Sequence, residues 1–210
     1  MLRAAMTRPD AILLIGPTGS GKTPLGELLE QRGLAGRACR HFDFGDRMRR
    51  IVAAELAVPE LTPAEQTFLA GVLERGVLLE DEHFPIAGKV LRAFLTEGAR
   101  DRQATVILNG LPRHVGQADS VDAIVHVTGV IELTCTPQVV LERIRRDTGG
   151  DRSRRTDDTD TAVRAKLETF RLRTAPLLDH YRRREATIQT IEANADTTAE
   201  EVWCAIEART

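Results

Sequence analysis

The residues Gly16-Pro17-Thr18-Gly19-Ser20-Gly21-Lys22-Thr23 fit the pattern G-x-x-x-x-G-K-[ST] in full. Each position has a chemical reason. The glycines let the chain curl so that successive N–H groups point inward at phosphate oxygens. The Lys22 ammonium then reaches the β- and γ-phosphates, and the Thr23 hydroxyl joins the shell of Mg²⁺. A helix that starts at the end of such a loop adds partial positive charge. The bland alternative is a glycine-rich turn that holds no ligand. The apolar run Ala11–Ile15 before the loop and the helical pattern after it are the setting that phosphate binding requires, so Gly16, Thr18, Gly19, Ser20, Gly21, Lys22 and Thr23 are expected to hold ATP or GTP. The loop does not say what becomes of the nucleotide.

Other charged residues bear on that question. Lysine occurs only at 22, 89 and 166, so nearly all positive charge is arginine. Arg49 ends the run His41-Phe42-Asp43-Phe44-Gly45-Asp46-Arg47-Met48-Arg49. Arg113 and Gln117 lie in Leu108-Asn109-Gly110-Leu111-Pro112-Arg113-His114-Val115-Gly116-Gln117-Ala118. Arg143, Arg145 and Arg146 precede Arg152, Arg154, Arg155, Asp157-Asp158 and Lys166. A guanidinium pairs with a phosphate through two parallel N–H donors, which lysine cannot do. Phosphoryl transfer asks for positioning and for positive charge around the equatorial oxygens. Taken singly, these arginines read as a surface residue on a helix and a solvated connector. Beside a phosphate loop they read as a site for a second phosphate and a closing lid.

Together these segments resemble the adenylate kinase family, over about residues 11–181. The resemblance implies that Arg49 and Arg113 hold the acceptor monophosphate, that Asp46 lies near the Mg²⁺ waters with Thr23, and that Gln117 reads the adenine edge. It places Leu79, in Gly76-Val77-Leu78-Leu79-Glu80-Asp81-Glu82, over the acceptor base. It places Arg143 on the ATP adenine and Arg155 on the transferring phosphoryl group, with Lys22, Arg113 and Lys166 completing the catalytic set. The sequence departs from the family at several of these places. Asn109 stands where the family has an acidic residue that orders Mg²⁺. Lys166 stands for a catalytic arginine, Phe44 for a threonine and Glu80 for a proline. Pro24 follows Thr23, whereas the family has Gly before its Thr.

Five short apolar or β-branched runs must position these residues: Ala11–Ile15, Cys39–Phe44, Thr105–Leu108, Val130–Thr134 and Thr187–Ile191. Brief runs of this kind suit strands buried on both faces. Helices are expected from about Lys22, Asp46, Pro63, Glu82, Pro137, Thr161 and Thr198. The third of these starts with an N-cap threonine, proline at the first position and Glu65 three residues after the cap. Alternation of strands and helices predicts an α/β fold, a P-loop NTPase with a five-stranded parallel sheet and helices on both faces. We expect one kinase domain, with a core at about 1–45, 95–146 and 161–210. A helical acceptor-binding insertion is expected at about 46–94 and a short lid at about 147–160.

A net charge of −2 gives no basic surplus for nucleic acid or an anionic membrane. Three scattered cysteines predict free thiols. The absence of a long apolar segment predicts a cytoplasmic protein, with monomer as the default. The function expected is ATP-dependent phosphoryl transfer to a nucleoside monophosphate, AMP first, with Mg²⁺ as cofactor. The alternatives are a kinase for a non-nucleotide small molecule and an ATPase or nucleotide-dependent switch.

Overall fold

The computed structural model describes residues 8–97, 103–151 and 159–209. Its strands are β1 (Asp10–Ile15), β2 (Cys39–Asp43), β3 (Thr105–Asn109), β4 (His126–Thr134) and β5 (Thr187–Glu192). They form one sheet in the order β2-β3-β1-β4-β5, and every neighbouring pair is parallel. β1 is central, so the phosphate loop that leaves its carboxyl end opens beside the ends of β3 and β4. This is the crevice where open α/β sheets bind ligands.

Among the described residues the helices are α1 (Lys22–Arg32), α2 (Phe44–Val52), α3 (Pro63–Arg75), α4 (Phe84–Glu97), α5 (Val115–Asp122), α6 (Pro137–Arg146), α7 (Asp160–Thr169), α8 (Leu177–Arg182) and α9 (Ala199–Glu207). Strand alternation sorts the core into two layers. Leu13 and Ile15 join a cluster with residues of α2, α3, α4, α5 and α8. Leu14, pointing the other way, joins one with Leu25 and Leu29 of α1 and Val202 and Ile206 of α9. The sheet is therefore covered on both faces, as the pattern predicted.

The differences from expectation have local causes. α2 starts at Phe44, two residues early, because the Asp43 side chain accepts the Asp46 N–H and caps it. A 3₁₀ turn, Asp81–His83, comes before α4, which starts at Phe84. β4 begins at His126, four residues early. Its first half alternates between exposed and covered positions, so it lacks the continuous apolar run that marks its second half. α5 and α8 are short helices that no expected start marked, and a π-helical turn, Phe170–Thr174, follows α7. Half of the segment expected to form the lid, residues 152–158, lies outside the described residues, and Arg152, Arg154 and Arg155 are among them. The three cysteines are free, and burial pushes the Cys39 thiol up to about 11. No described helix is long and apolar enough to cross a membrane.

Candidate active site

A cleft of about 390 Å³ opens over the carboxyl ends of β1, β2 and β3, a volume within the usual range for small-ligand sites. One wall is the phosphate loop. Gly19 and Gly21 take φ of 76° and 99°, left-handed values that glycine adopts without strain. Gly21 caps α1, which turns the helix N-terminus toward the cleft. Lys22 Nζ donates to the carbonyls of Gly16 (2.7 Å) and Pro17 (2.8 Å), so its ammonium lies across the mouth of its own loop. Ser20 is buried, and its Oγ has no hydrogen-bond partner among the described residues. Thr18 and Thr23 line the same cleft.

Arg143 reaches this loop in a way the sequence did not foretell. It is 4% exposed and does not line the cleft. Its Nε donates to Gly19 O (2.9 Å), and its Nη1 donates to Asn194 O (2.6 Å) and Thr197 O (2.8 Å). The guanidinium thus bolts the phosphate loop to the connection between β5 and α9. Stacking on the ATP adenine was expected for Arg143; here its guanidinium is held by carbonyls of the loop and of Asn194 and Thr197.

The opposite wall gathers the residues expected to bind the acceptor. Arg49 leans over Gly45, its Nη1 3.5 Å from where a Cβ on that glycine would sit. Arg113 leans over Gly110, its Nη1 3.8 Å from the corresponding point. That point is itself 3.8 Å from the Gly45 backbone nitrogen. Two guanidinium heads therefore converge on one pair of adjacent glycines, facing the phosphate loop across the cleft. Gly110 has φ of 82°, and the following Leu111–Pro112 peptide is cis. Thr174 Oγ1 donates to Arg113 O (2.7 Å), which ties this turn to the π-helical turn after α7.

Gln117 is buried and lines the cleft. Its Nε2 donates to Leu79 O (2.9 Å), and its Oε1 accepts from Arg113 N (2.9 Å). His114 Nε2 also lies 3.1 Å from Leu79 O, and its Nδ1 lies 3.3 Å from an Asp81 carboxylate oxygen. Leu79 is thus held by two side chains of the segment after β3. Lys166, on α7, lines the cleft from the side of the expected lid.

Where the two walls meet, Thr23, Asp43 and Asn109 form a closed triangle. Thr23 Oγ1 donates to Asp43 Oδ2 (2.7 Å), and Asn109 Nδ2 donates to the same oxygen (2.8 Å) and to Thr23 Oγ1 (3.1 Å). Burial would push the Asp43 carboxyl up. The capping N–H of Asp46 and the Thr23 hydroxyl outweigh it and hold the group below its ordinary range. Glu27, one turn along α1, is pushed up by burial and then by the charges of Asp151, Asp43 and Asp46. Negative charge therefore accumulates beside Thr23. The Asp46 carboxylate lies 3.7 Å from Arg49 and 4.0 Å from Arg50 along the surface of α2.

Comparison with known proteins agrees with this geometry. The family model described as Adenylate kinase matches residues 14–186. An adenylate kinase of Prochlorococcus marinus (strain MIT 9313) is 31% identical over 189 residues, covering 87% of this chain and 90% of the relative. One from Stenotrophomonas maltophilia (strain K279a) is 33% identical over 178 residues, covering 81% and 84%. Among solved structures, a gluconokinase from Sinorhizobium meliloti 1021 superposes with a TM-score of 0.52 at 18% identity, covering 97% of this chain and 94% of that one. At that identity the likeness shows a shared fold. The matched segment runs from the last residues of β1 past α8, and so contains the phosphate loop, both converging arginines and Lys166. The chain belongs to the adenylate kinase family, ATP-dependent phosphotransferases that act on nucleoside monophosphates.

Proposed function

We propose that the chain transfers the γ-phosphoryl group of ATP to the phosphate of AMP, giving two molecules of ADP. The observation that carries this reading is the convergence of Arg49 and Arg113 on Gly45 and Gly110, opposite the phosphate loop. Two forked cations at one spot suit a terminal phosphate dianion. ATP lies on the loop formed by Gly16 to Thr23, with Lys22 reaching its outer phosphates. An oxygen of the AMP phosphate attacks the γ-phosphorus in line, and the ADP leaving oxygen departs on the far side. No general base is required, because the attacking oxygen is already ionised. Lys22, Arg113, Lys166 and Arg155 supply positive charge to the transferring group.

Adenine as the acceptor base is supported by Gln117. With one N–H committed to Leu79 and one lone pair to Arg113, the amide keeps one donor and one acceptor. These complement a ring nitrogen and the exocyclic amine of adenine. Leu79 packs beside that amide. The Mg²⁺ that accompanies ATP suits the oxygen-only donors of Thr23 and Asp43. Bound there, it would neutralise charge between the phosphates. Asp46 serves as the counter-ion of Arg49.

Steady-state kinetics of Arg113→Ala test the assignment. The expected result is a rise in the KM for AMP of at least about tenfold, with the KM for ATP within about twofold of wild type, as for loss of one charge-assisted contact worth about 1.5–3 kcal/mol. Equal changes in both KM values would contradict it.

A further inference from the structure

We propose that Asp43, at the end of β2, supplies the carboxylate that serves the nucleotide-bound metal in this chain, the part that the family resemblance gives to position 109 at the end of β3. The proposal rests on the phosphotransferase reading above and specifies its metal site.

The sheet allows either position to play that part. Asp43 and Asn109 are register partners in the parallel pair β2–β3, the last residues of their strands. Side chains at that register leave adjacent strand ends about 4.8 Å apart and reach the same corner of the cleft. Both meet the Thr23 hydroxyl there, Asp43 at 2.7 Å and Asn109 at 3.1 Å. A charge shifted from one position to the other stays beside the same threonine.

The identities of the three residues are mutually dependent. Two carboxylates at 43 and 109 would be like charges side by side, and one would take up a proton. An asparagine at 109 instead donates to Asp43 Oδ2 at 2.8 Å, which favours the ionised form. Thr23 donates its only hydroxyl proton to that oxygen and accepts from Asn109, so one lone pair remains for a cation. Asp43 keeps its other oxygen on the Asp46 N–H at 2.8 Å, where it caps α2 and fixes its own orientation. Asp46, the other candidate carboxylate, pairs with Arg49 and Arg50. Asn109 is therefore the complement of Asp43 rather than a lesion in the site.

The test uses the full chain with Mn²⁺ as the probe. Electron paramagnetic resonance titration measures Mn²⁺ binding to the protein·ADP complex, and a parallel titration measures ADP binding in EDTA. Asparagine at 43 still offers an oxygen to the Asp46 N–H, so Asp43→Asn retains the cap. We expect Asp43→Asn to weaken Mn²⁺ binding at least about tenfold while ADP affinity in EDTA stays within about twofold. The exchange variant Asp43→Asn/Asn109→Asp, which places the carboxylate on β3, should recover Mn²⁺ affinity to within about threefold of wild type. A purely structural role for Asp43 predicts no such recovery. Unchanged Mn²⁺ binding in Asp43→Asn, failure of the exchange variant to recover it, or its loss in Asp46→Asn in place of Asp43→Asn would each overturn the proposal. Wild-type protein that binds no ADP with or without metal would instead overturn the phosphotransferase reading on which the proposal rests.

Discussion

Lys22 shows how far a local pattern reaches. Its loop is eight consecutive residues whose geometry follows from glycine conformation and a helix start, so it could be read without tertiary information. With its ammonium at the mouth of the loop, Lys22→Ala should cost at least about 100-fold in kcat/KM, the scale of one preorganised electrostatic contact. Folded Lys22→Ala protein with wild-type kinetics would contradict that role. Asp43 marks the other limit. Its partners come from α1 and β3, and only strand register brings them together. His41 was equally opaque. Its ring packs against α1 where a Cβ on Gly26 would lie 2.2 Å from Nε2, so any larger residue at position 26 would force the ring to shift. Burial holds the ring below its ordinary value of 6.5, against the pull of nearby carboxylates. Since the unfolded chain then takes the proton first, stability is complete above about pH 6.5 and declines as pH falls toward the folded value. Urea unfolding between about pH 7.5 and 5.5 should show this decline in wild type and a shallower one in His41→Gln. Identical slopes would contradict it.

Among the elements, what could be read depended on continuity of pattern. The starts of α3 and α6 fall where threonine caps and prolines put them, at Pro63 and Pro137, and that of α1 falls where the phosphate loop ends, at Lys22. The early half of β4 and the short helices α5 and α8 carry no such signal, because their covered positions are few or interspersed with exposed ones. Arg143 belongs to this scale. On α6 it reads as a phosphate- or base-binding arginine, yet the fold spends its donors on the phosphate loop and on the connection from β5 to α9. Removing it would leave carbonyls in two segments without this donor at once. Arg143→Ala should therefore lower unfolding free energy by about 1.5–3 kcal/mol, measured by urea denaturation without nucleotide. A change below about 0.5 kcal/mol, the size typical of a surface substitution, would show that the bolt contributes little.

At the scale of the molecule, the parallel sheet makes one cleft from segments far apart in sequence. The loop after β1, the start of α2, the turn after β3, the segment Gly76–Leu79 and α7 all face it. The sheet class was legible because strand and helix patterns alternate along the chain. The pairing of Arg49 with Arg113 was legible only through family resemblance, since no local rule predicts that Gly45 and Gly110 lie side by side. On the reading proposed above, such a cleft has one phosphate site on the loop and another under two arginines, and its function is transfer between them. The most direct measurement is ADP formation from Mg·ATP by the purified chain, with AMP, CMP, UMP and GMP added singly and one sample without acceptor. ADP should form only with a monophosphate present, and fastest with AMP. Equal ATP consumption with and without acceptor would contradict the account.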